Sequence, residues 1–293
     1  MAHYLITGGS GFLGSHLIGE LLALGHKITV IKRKTSSIAR LKSYEGAIQI
    51  INSEDMTLQN TQIILQSIEA IFHLATNYGR NNETNEEIMY ANYEWPLKLF
   101  QSSIQAQVKT FINFDTILPE EINSYAKSKK KFSQAAKKIC LEETAPQFIN
   151  IKLSHFYGPQ DDCTRLVMYL ASSLQNNIPE IMLSEGYQKI DFIYISDVVS
   201  GTLKIIENLN NIHDRSHEFI LGTGNLTSIR ELALLLKNKL NSKTKINFGA
   251  IPYRKNEQMA PELDLREINK LGWSAKVNLS EGLDLVMSEL KIN

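Results

Sequence analysis

Short runs of consecutive apolar residues recur along the first half of the chain, and segments with apolar residues at helical spacing separate most of them. Residues 3–7 predict a first strand. Residues 12–24 follow with helical periodicity, clustering Phe12, Leu13, Leu17, Ile18, Leu21 and Leu22. Residues 28–31, 48–51, 71–74, 110–114 and 148–153 predict five further strands. Strands buried on both faces read as unbroken apolar runs, and strand–helix–strand repetition predicts a parallel sheet covered by helices on both sides. The expected fold class is therefore α/β, a doubly wound parallel sheet of Rossmann type. After about residue 158 the pattern loosens. Residues 166–174, 198–209 and 228–240 predict helices, the second capped by Asp197 and the third by Thr227 or Ser228. Residues 192–195 and 219–221 predict strands. This organisation predicts a dinucleotide-binding domain over 1–160, with 187–225 partly returning to its sheet, and a smaller substrate-binding lobe over 161–293.

Composition narrows the function classes. The 293 residues carry 31 Lys+Arg and 31 Asp+Glu, a formal charge of zero. That balance offers no broad field for a polyanion and argues against nucleic acid as a partner. Two cysteines, Cys140 and Cys163, exclude a disulfide scaffold and suit a reducing cytoplasm. No apolar run reaches membrane-spanning length, and no basic segment precedes an apolar run at the N-terminus. Neither a membrane partner nor a signal peptide is expected. His16, His26, His213 and His217 have no metal-ligand spacing and no Cys/His cluster exists, so no metal is expected.

The strongest motif is Thr7-Gly8-Gly9-Ser10-Gly11-Phe12-Leu13-Gly14, between the first predicted strand and the first predicted helix. Gly8 would form the tight turn, Gly11 would admit a pyrophosphate to the backbone, and Gly14 would let helix and strand approach. Ser10, Phe12 and Leu13 complete a loop whose amides meet an anion at the helix N-terminus. The second strand ends in Lys32-Arg33-Lys34 with no carboxylate in the run. Cations there suit a ribose 2′-phosphate, so NADP(H) is expected over NAD(H), which stays possible.

Tyr125 and Lys129 lie four residues apart in a segment that reads as a helix to about residue 141, which places both on one helix face. A phenol normally titrates near pH 10, and a neighbouring ammonium favours its ionised form. The pair can exchange a proton with an alcohol or ketone. Lys127, Lys130, Lys131, Lys137 and Lys138 read as a solvated face. Thr116, just past the fifth strand, would hold the substrate oxygen at the sheet edge where ligands bind, with Asp115 as the other polar group there.

Together with His73-Leu74-Ala75, Asn92, Tyr157-Gly158-Pro159 and residues 191–197, these motifs resemble the extended short-chain dehydrogenase/reductase family of nucleotide-sugar epimerases, dehydratases and reductases. Residues 72–79, 111–116 and 247–252, with Arg254, Asn256 and Glu257, look like the CDP-abequose synthase type, which reduces 4-keto-6-deoxy nucleotide sugars. The resemblance implies that Thr116 and Tyr125 bracket the C4 oxygen and that Lys129 binds the nicotinamide ribose. It implies Asp55 and Met56 at the adenine, and Leu74, Ala75, Thr76 and Asn92 beside the dinucleotide. Asn77, Tyr78, His155 and Arg254 would face a CDP- or dTDP-linked substrate. Ile190 stands where the family often has arginine, and Gln188 or Lys189 would substitute. The segment between Thr116 and Tyr125 is shorter than is usual in the family. A homodimer through helices within 85–105 and 125–141 is also implied. The expected activity is NADPH-dependent 4-ketoreduction. A 4-epimerase retaining NAD and a dinucleotide-binding regulator are the alternatives.

Overall fold

The computed structural model describes residues 1–142 and 144–290. In chain order the first part holds β1 (His3–Thr7), α1 (Phe12–Ala23), β2 (Lys27–Lys32), β3 (Ile48–Asn52), α2 (Leu58–Leu65) and β4 (Ala70–His73). It continues with α3 (Asn85–Met89), α4 (Trp95–Gln105), β5 (Thr110–Thr116), α5 (Ser124–Ile139) and β6 (Gln147–Leu153). Next come β7 (His155–Tyr157), α6 (Leu166–Gln175), β8 (Glu180–Leu183), β9 (Lys189–Tyr194), α7 (Ile195–Glu207) and β10 (Ser216–Leu221). The chain closes with β11 (Leu226–Ser228), α8 (Ile229–Leu240), β12 (Lys245–Phe248), α9 (Arg266–Lys270) and α10 (Leu279–Leu290).

Two compact units result: Met1–Lys152 with Thr202–Phe219, and Leu153–Gly201 with the chain from Ile220 onward. The main sheet is seven-stranded and parallel, in the order β10-β6-β5-β4-β1-β2-β3. Bonds from Phe148 N–H to the Arg215 carbonyl and from Ser154 N–H to the Leu221 carbonyl keep one offset, so β10 runs parallel to β6. The order reverses between β1 and β4, which leaves a crevice at their carboxyl ends where such sheets take ligands.

The six strands predicted in the first half all form. Central β1, β4 and β5 are largely apolar because both faces are covered, and β5 is buried along its whole length with Asn113 and Asp115 as buried polar residues within it. Edge strand β3 alternates less cleanly and is half-exposed. Leu5, Ile71, Phe100, Phe111, Phe132 and Phe148 join one core on the face where α4 and α5 pack, and Phe100 meets Phe111 edge-on at 5.1 Å. The Asn123 side chain starts α5 by accepting the Ala126 N–H at 2.8 Å.

In the second unit, β7 and β9 pair in parallel and β9 pairs antiparallel with β11, so residues 189–194 build their own small sheet and β10 is the late strand in the main one. β8 and β12 form a parallel pair. These short strands carry too few alternating positions to announce themselves in the sequence. Ser228 caps α8 in a reciprocal capping box with Glu231, as the sequence predicts. The cap predicted at Asp197 is not found. α7 begins at Ile195, and the buried Asp197 carboxylate instead accepts the Val277 N–H at 2.9 Å. An acidic residue in a first turn and one at a cap look alike in sequence.

Candidate active site

The glycine loop turns directly from β1 into α1. Gly8 holds φ +70°, and a Cβ there would sit 2.6 Å from the Ala75 amide nitrogen, so only glycine fits. A Cβ at Gly14 would lie 2.7 Å from Gly9 Cα. Gly11 donates its N–H to the Gly8 carbonyl at 3.0 Å and caps α1 with no capping side chain among the described residues. Ser10 and exposed Gly11 therefore present the loop backbone, while Phe12 and Leu13 turn into the core.

The end of β2 differs from its reading in sequence. Lys32 turns its ammonium onto the carbonyls of Arg33 and Lys34, at 2.8 and 3.4 Å. Lys34 pairs with Asp55 at 2.8 Å, and its backbone N–H meets both Glu54 oxygens at 3.1 Å. Two carboxylates absent from the run itself thus arrive from the end of β3 by strand pairing. Arg33 stays exposed. Asp55 is exposed and spends its charge on Lys34, which holds its carboxyl below the ordinary range, with the Asn52 amide assisting. Met56 is half-buried against the core.

At the end of β4, Thr7 Oγ1 lies 2.8 Å from His73 Nδ1 and accepts the Ala75 N–H at 3.2 Å. Leu74 N–H bonds the Thr7 carbonyl, so residues 74–76 leave the sheet beside the glycine loop. Asn92 sits in a π-helical turn between α3 and α4, wholly buried. Its amide exchanges two bonds of 2.8 Å with the backbone of Asn77 and donates to Ser128 Oγ at 3.1 Å. This ties the loop after β4 to α5. Tyr78 lies against Tyr125, ring centroids 5.0 Å apart, and the Arg80 guanidinium lies over the Tyr78 ring at 4.8 Å.

On α5 the buried stripe is Ala126, Lys129, Ser133 and Ala136. Tyr125 is half-buried at its start. Lys129 is fully buried, and its ammonium has no hydrogen-bond partner among the described residues. Burial draws it down to about 8, Asp115 opposing and Lys130 reinforcing the shift. A buried cation with three unused donors, together with a glycine turn that only a bare backbone fits, suits a dinucleotide with ribose hydroxyls and a pyrophosphate. Thr116 is buried, and its hydroxyl accepts the Leu118 N–H at 3.2 Å, which leaves its own proton to donate.

Lys130 departs from the expected solvated face. Its side chain is 16% exposed and pairs with Asp115 at 3.5 Å. The other four lysines of that group are exposed, as expected. Lys130 stands four residues after Ala126 and three before Ser133, on the border of the buried stripe, and that spacing was the available signal.

Residues 4–222 match the NAD dependent epimerase/dehydratase family. The chain belongs to this family. It is 32% identical to a CDP-abequose synthase of Salmonella muenchen, over 97% of this chain and 96% of that one. It is 26% identical to a CDP-abequose synthase of Salmonella typhimurium, over 98% of each. It shares its fold with the UDP-glucose 4-epimerase of Thermotoga maritima solved with UDP-glucose, at TM-score 0.84, 23% identity and 99% coverage of both chains.

The second unit of this epimerase/dehydratase-family chain carries the remaining candidates. His155, on β7, packs edge-on against Phe192 at 5.3 Å. Gln188 is buried, its amide donating to Ser184 Oγ at 3.2 Å while its carbonyl oxygen has no partner among the described residues. Arg254 is exposed and closes a turn with Glu257. Trp273, read in sequence as packing, is buried and donates to Ser200 at 3.0 Å. Among the described residues no cluster of His, Cys, Asp or Glu could hold a metal, and no helix is long and apolar enough to cross a membrane.

Proposed function

We propose that this protein reduces the C4 ketone of a CDP- or dTDP-linked 4-keto-6-deoxyhexose, using NADPH. The observation that carries the reading is Lys129, a buried ammonium without a hydrogen-bond partner among the described residues, one helical turn after Tyr125 and on the helix packed against the strand that ends in Thr116. The full-length likeness to two CDP-abequose synthases supports the substrate class.

When bound, a reduced nicotinamide supplies the hydride that arrives at C4. Everything else falls to the chain. Gly8, Ser10, Gly11, Phe12, Leu13 and Gly14 hold the pyrophosphate against the loop backbone. Leu74, Ala75, Thr76 and Asn92 line the dinucleotide after β4, and Asp55 and Met56 lie toward the adenine. Thr116 donates a hydrogen bond from its hydroxyl to the ketone oxygen and keeps its proton, while the same hydroxyl accepts the Leu118 N–H. Tyr125 delivers its phenolic proton to the same oxygen as charge develops there. Lys129 binds ribose hydroxyls, and its charge eases proton release from the phenol. Ketone, hydride and proton sum to the alcohol. Asn77 and Tyr78, on the loop after β4, contact the nucleotide sugar. The reading includes a cytoplasmic homodimer.

A second reading, a 4-epimerase retaining NAD, draws on Glu54 and Asp55, since carboxylates at this place bond a ribose 2′-hydroxyl. One assay separates the two. CDP- and dTDP-4-keto-6-deoxyglucose are supplied with NADPH or NADH, and loss of reduced cofactor is followed with identification of the sugar. Stoichiometric oxidation with a 6-deoxyhexose product is expected. No oxidation with either ketone overturns the reductase reading, and NAD released on denaturation favours the epimerase.

A further inference from the structure

Asp115 is the hub of a buried polar chain that the roles of Tyr125, Lys129 and Thr116 leave unused. Its side chain is wholly shielded. One oxygen accepts the Thr116 N–H at 2.7 Å, and the other accepts from Asn150 at 3.2 Å and Lys130 at 3.5 Å. Lys130 also donates to the Thr116 carbonyl. Asn150 continues to Asn113 at 2.7 Å and to Glu218 at 3.1 Å, and Lys152 closes the chain on Glu218 at 2.5 Å.

Two adjacent lysines therefore feel one buried carboxylate, which stabilises the charge of both. A buried ammonium ordinarily takes the nearest carboxylate as its partner. Here both Asp115 oxygens already accept bonds, from Thr116 N–H, Asn150 and Lys130, and Lys129 is left unbonded among the described residues. At the same time, Asp115 and Lys130 grip the N–H and the carbonyl of the same residue, Thr116. Its hydroxyl is aimed by backbone held at both ends.

We propose that Lys130 is a positioning residue: by holding Asp115 and the Thr116 carbonyl it fixes the Thr116 hydroxyl and keeps the Lys129 ammonium free for the dinucleotide. The inference rests on the reading above, in which Lys129 meets the cofactor and Thr116 the ketone. It assigns a task to a lysine that the reaction itself does not require.

The test is a comparison of Lys130→Gln, Lys130→Arg and the double variant Asp115→Asn/Lys130→Gln. NADPH and NADH binding is read by nicotinamide fluorescence without any sugar, and turnover is read separately. In Lys130→Gln, Asp115 becomes available to Lys129, and affinity for the preferred dinucleotide falls roughly tenfold. Lys130→Arg restores it. In the double variant the competing carboxylate is gone, so affinity returns to within about threefold of wild type, while kcat stays down roughly tenfold because Thr116 is still loosened. Thr116→Ala added to the double variant then costs no further kcat. Unchanged binding in Lys130→Gln, or a double variant that binds no better than the single, overturns the proposal. Should Lys130→Gln fail to fold, the double variant, which removes both partners of the Asp115–Lys130 ion pair together, carries the test, and an undiminished kcat in it overturns the proposal. A wild-type chain that binds dinucleotide but reduces neither ketone overturns the functional reading instead, and the binding comparison still decides the role of Lys130.

Discussion

Thr7 Oγ1 and His73 Nδ1 stand 2.8 Å apart at the carboxyl ends of β1 and β4, the two strands between which the sheet order reverses. His73 is wholly buried, and burial, with the charge of Lys129 added, holds its imidazole well below its ordinary range. It stays neutral at working pH. The unfolded chain protonates this histidine near pH 6.5, before the folded chain does, so the unfolded state binds more protons below that value. The contribution of His73 to stability is complete above about pH 6.5 and is lost as pH falls. Urea unfolding of wild type and His73→Gln checks this. At pH 7.5 the variant should be less stable by about 1–2 kcal/mol from lost bonding and packing, and the gap should narrow at pH 5. A constant gap between the two pH values would mean that His73 does not titrate with unfolding.

Lys129 is shifted in the same direction, but at working pH it keeps its charge in a buried place. Its folded value lies at about 8 against 10.5 for a free lysine, with burial the main cause. Between these values the unfolded chain holds a proton that the folded chain has released, so stability rises with pH across this window. Below about pH 8 the folded apoprotein carries the full cost of an unpaired buried charge, about 3 kcal/mol for a shift of this size. Lys129→Met should therefore be more stable than wild type at pH 7, with the advantage fading toward pH 10.5, and should bind dinucleotide weakly. Denaturant titrations at the two pH values report the first expectation and fluorescence the second. A less stable methionine variant at pH 7 would mean that the ammonium is satisfied in the apoprotein.

Much of this architecture is legible in the chain. Largely apolar runs mark the strands β1 to β6, because a parallel strand covered on both faces has no solvated side to alternate with its core side. The turn at Gly8 and the i,i+4 spacing of Tyr125 and Lys129 are local features, and they survive into the fold unchanged. What the sequence hides is made by long-range pairing. Glu54 and Asp55 follow Lys34 by twenty residues or more, and only the β2–β3 register brings them to it. Asn150 meets both Asp115 and Glu218 because β6 lies between β5 and β10, an order that no periodicity encodes.

That pairing bears on cofactor choice. With Lys34 engaged by Asp55 and Lys32 bonded to loop carbonyls, Arg33 is the cation of the run left exposed to meet a 2′-phosphate. A guanidinium offers that group two parallel bonds. Arg33→Ala should raise KM for NADPH roughly tenfold and leave KM for NADH within about twofold. Steady-state kinetics with both cofactors at one ionic strength check it. Equal losses for both would assign Arg33 to the loop fold, and no loss for either would leave the choice to Glu54 and Asp55, favouring NAD.

In the proposed reaction, Tyr125 is the residue on which turnover depends most directly. Its ring lies against Tyr78 near the start of α5, one turn before Lys129, while the glycine loop proposed to hold the pyrophosphate belongs to other elements of the same unit. Removing the phenolic oxygen therefore removes the proton donor and leaves the pyrophosphate cradle, the Lys129 ammonium and the ring packing in place. Tyr125→Phe should lower kcat by about 10²–10⁴-fold, the usual worth of a positioned acid, while dinucleotide affinity stays within about threefold. Ketone reduction followed by absorbance of the reduced cofactor gives the first number and fluorescence titration the second. A fall in both together would mean that the phenol builds the cofactor site, and turnover within tenfold of wild type would mean that the proton comes from Thr116 or from solvent.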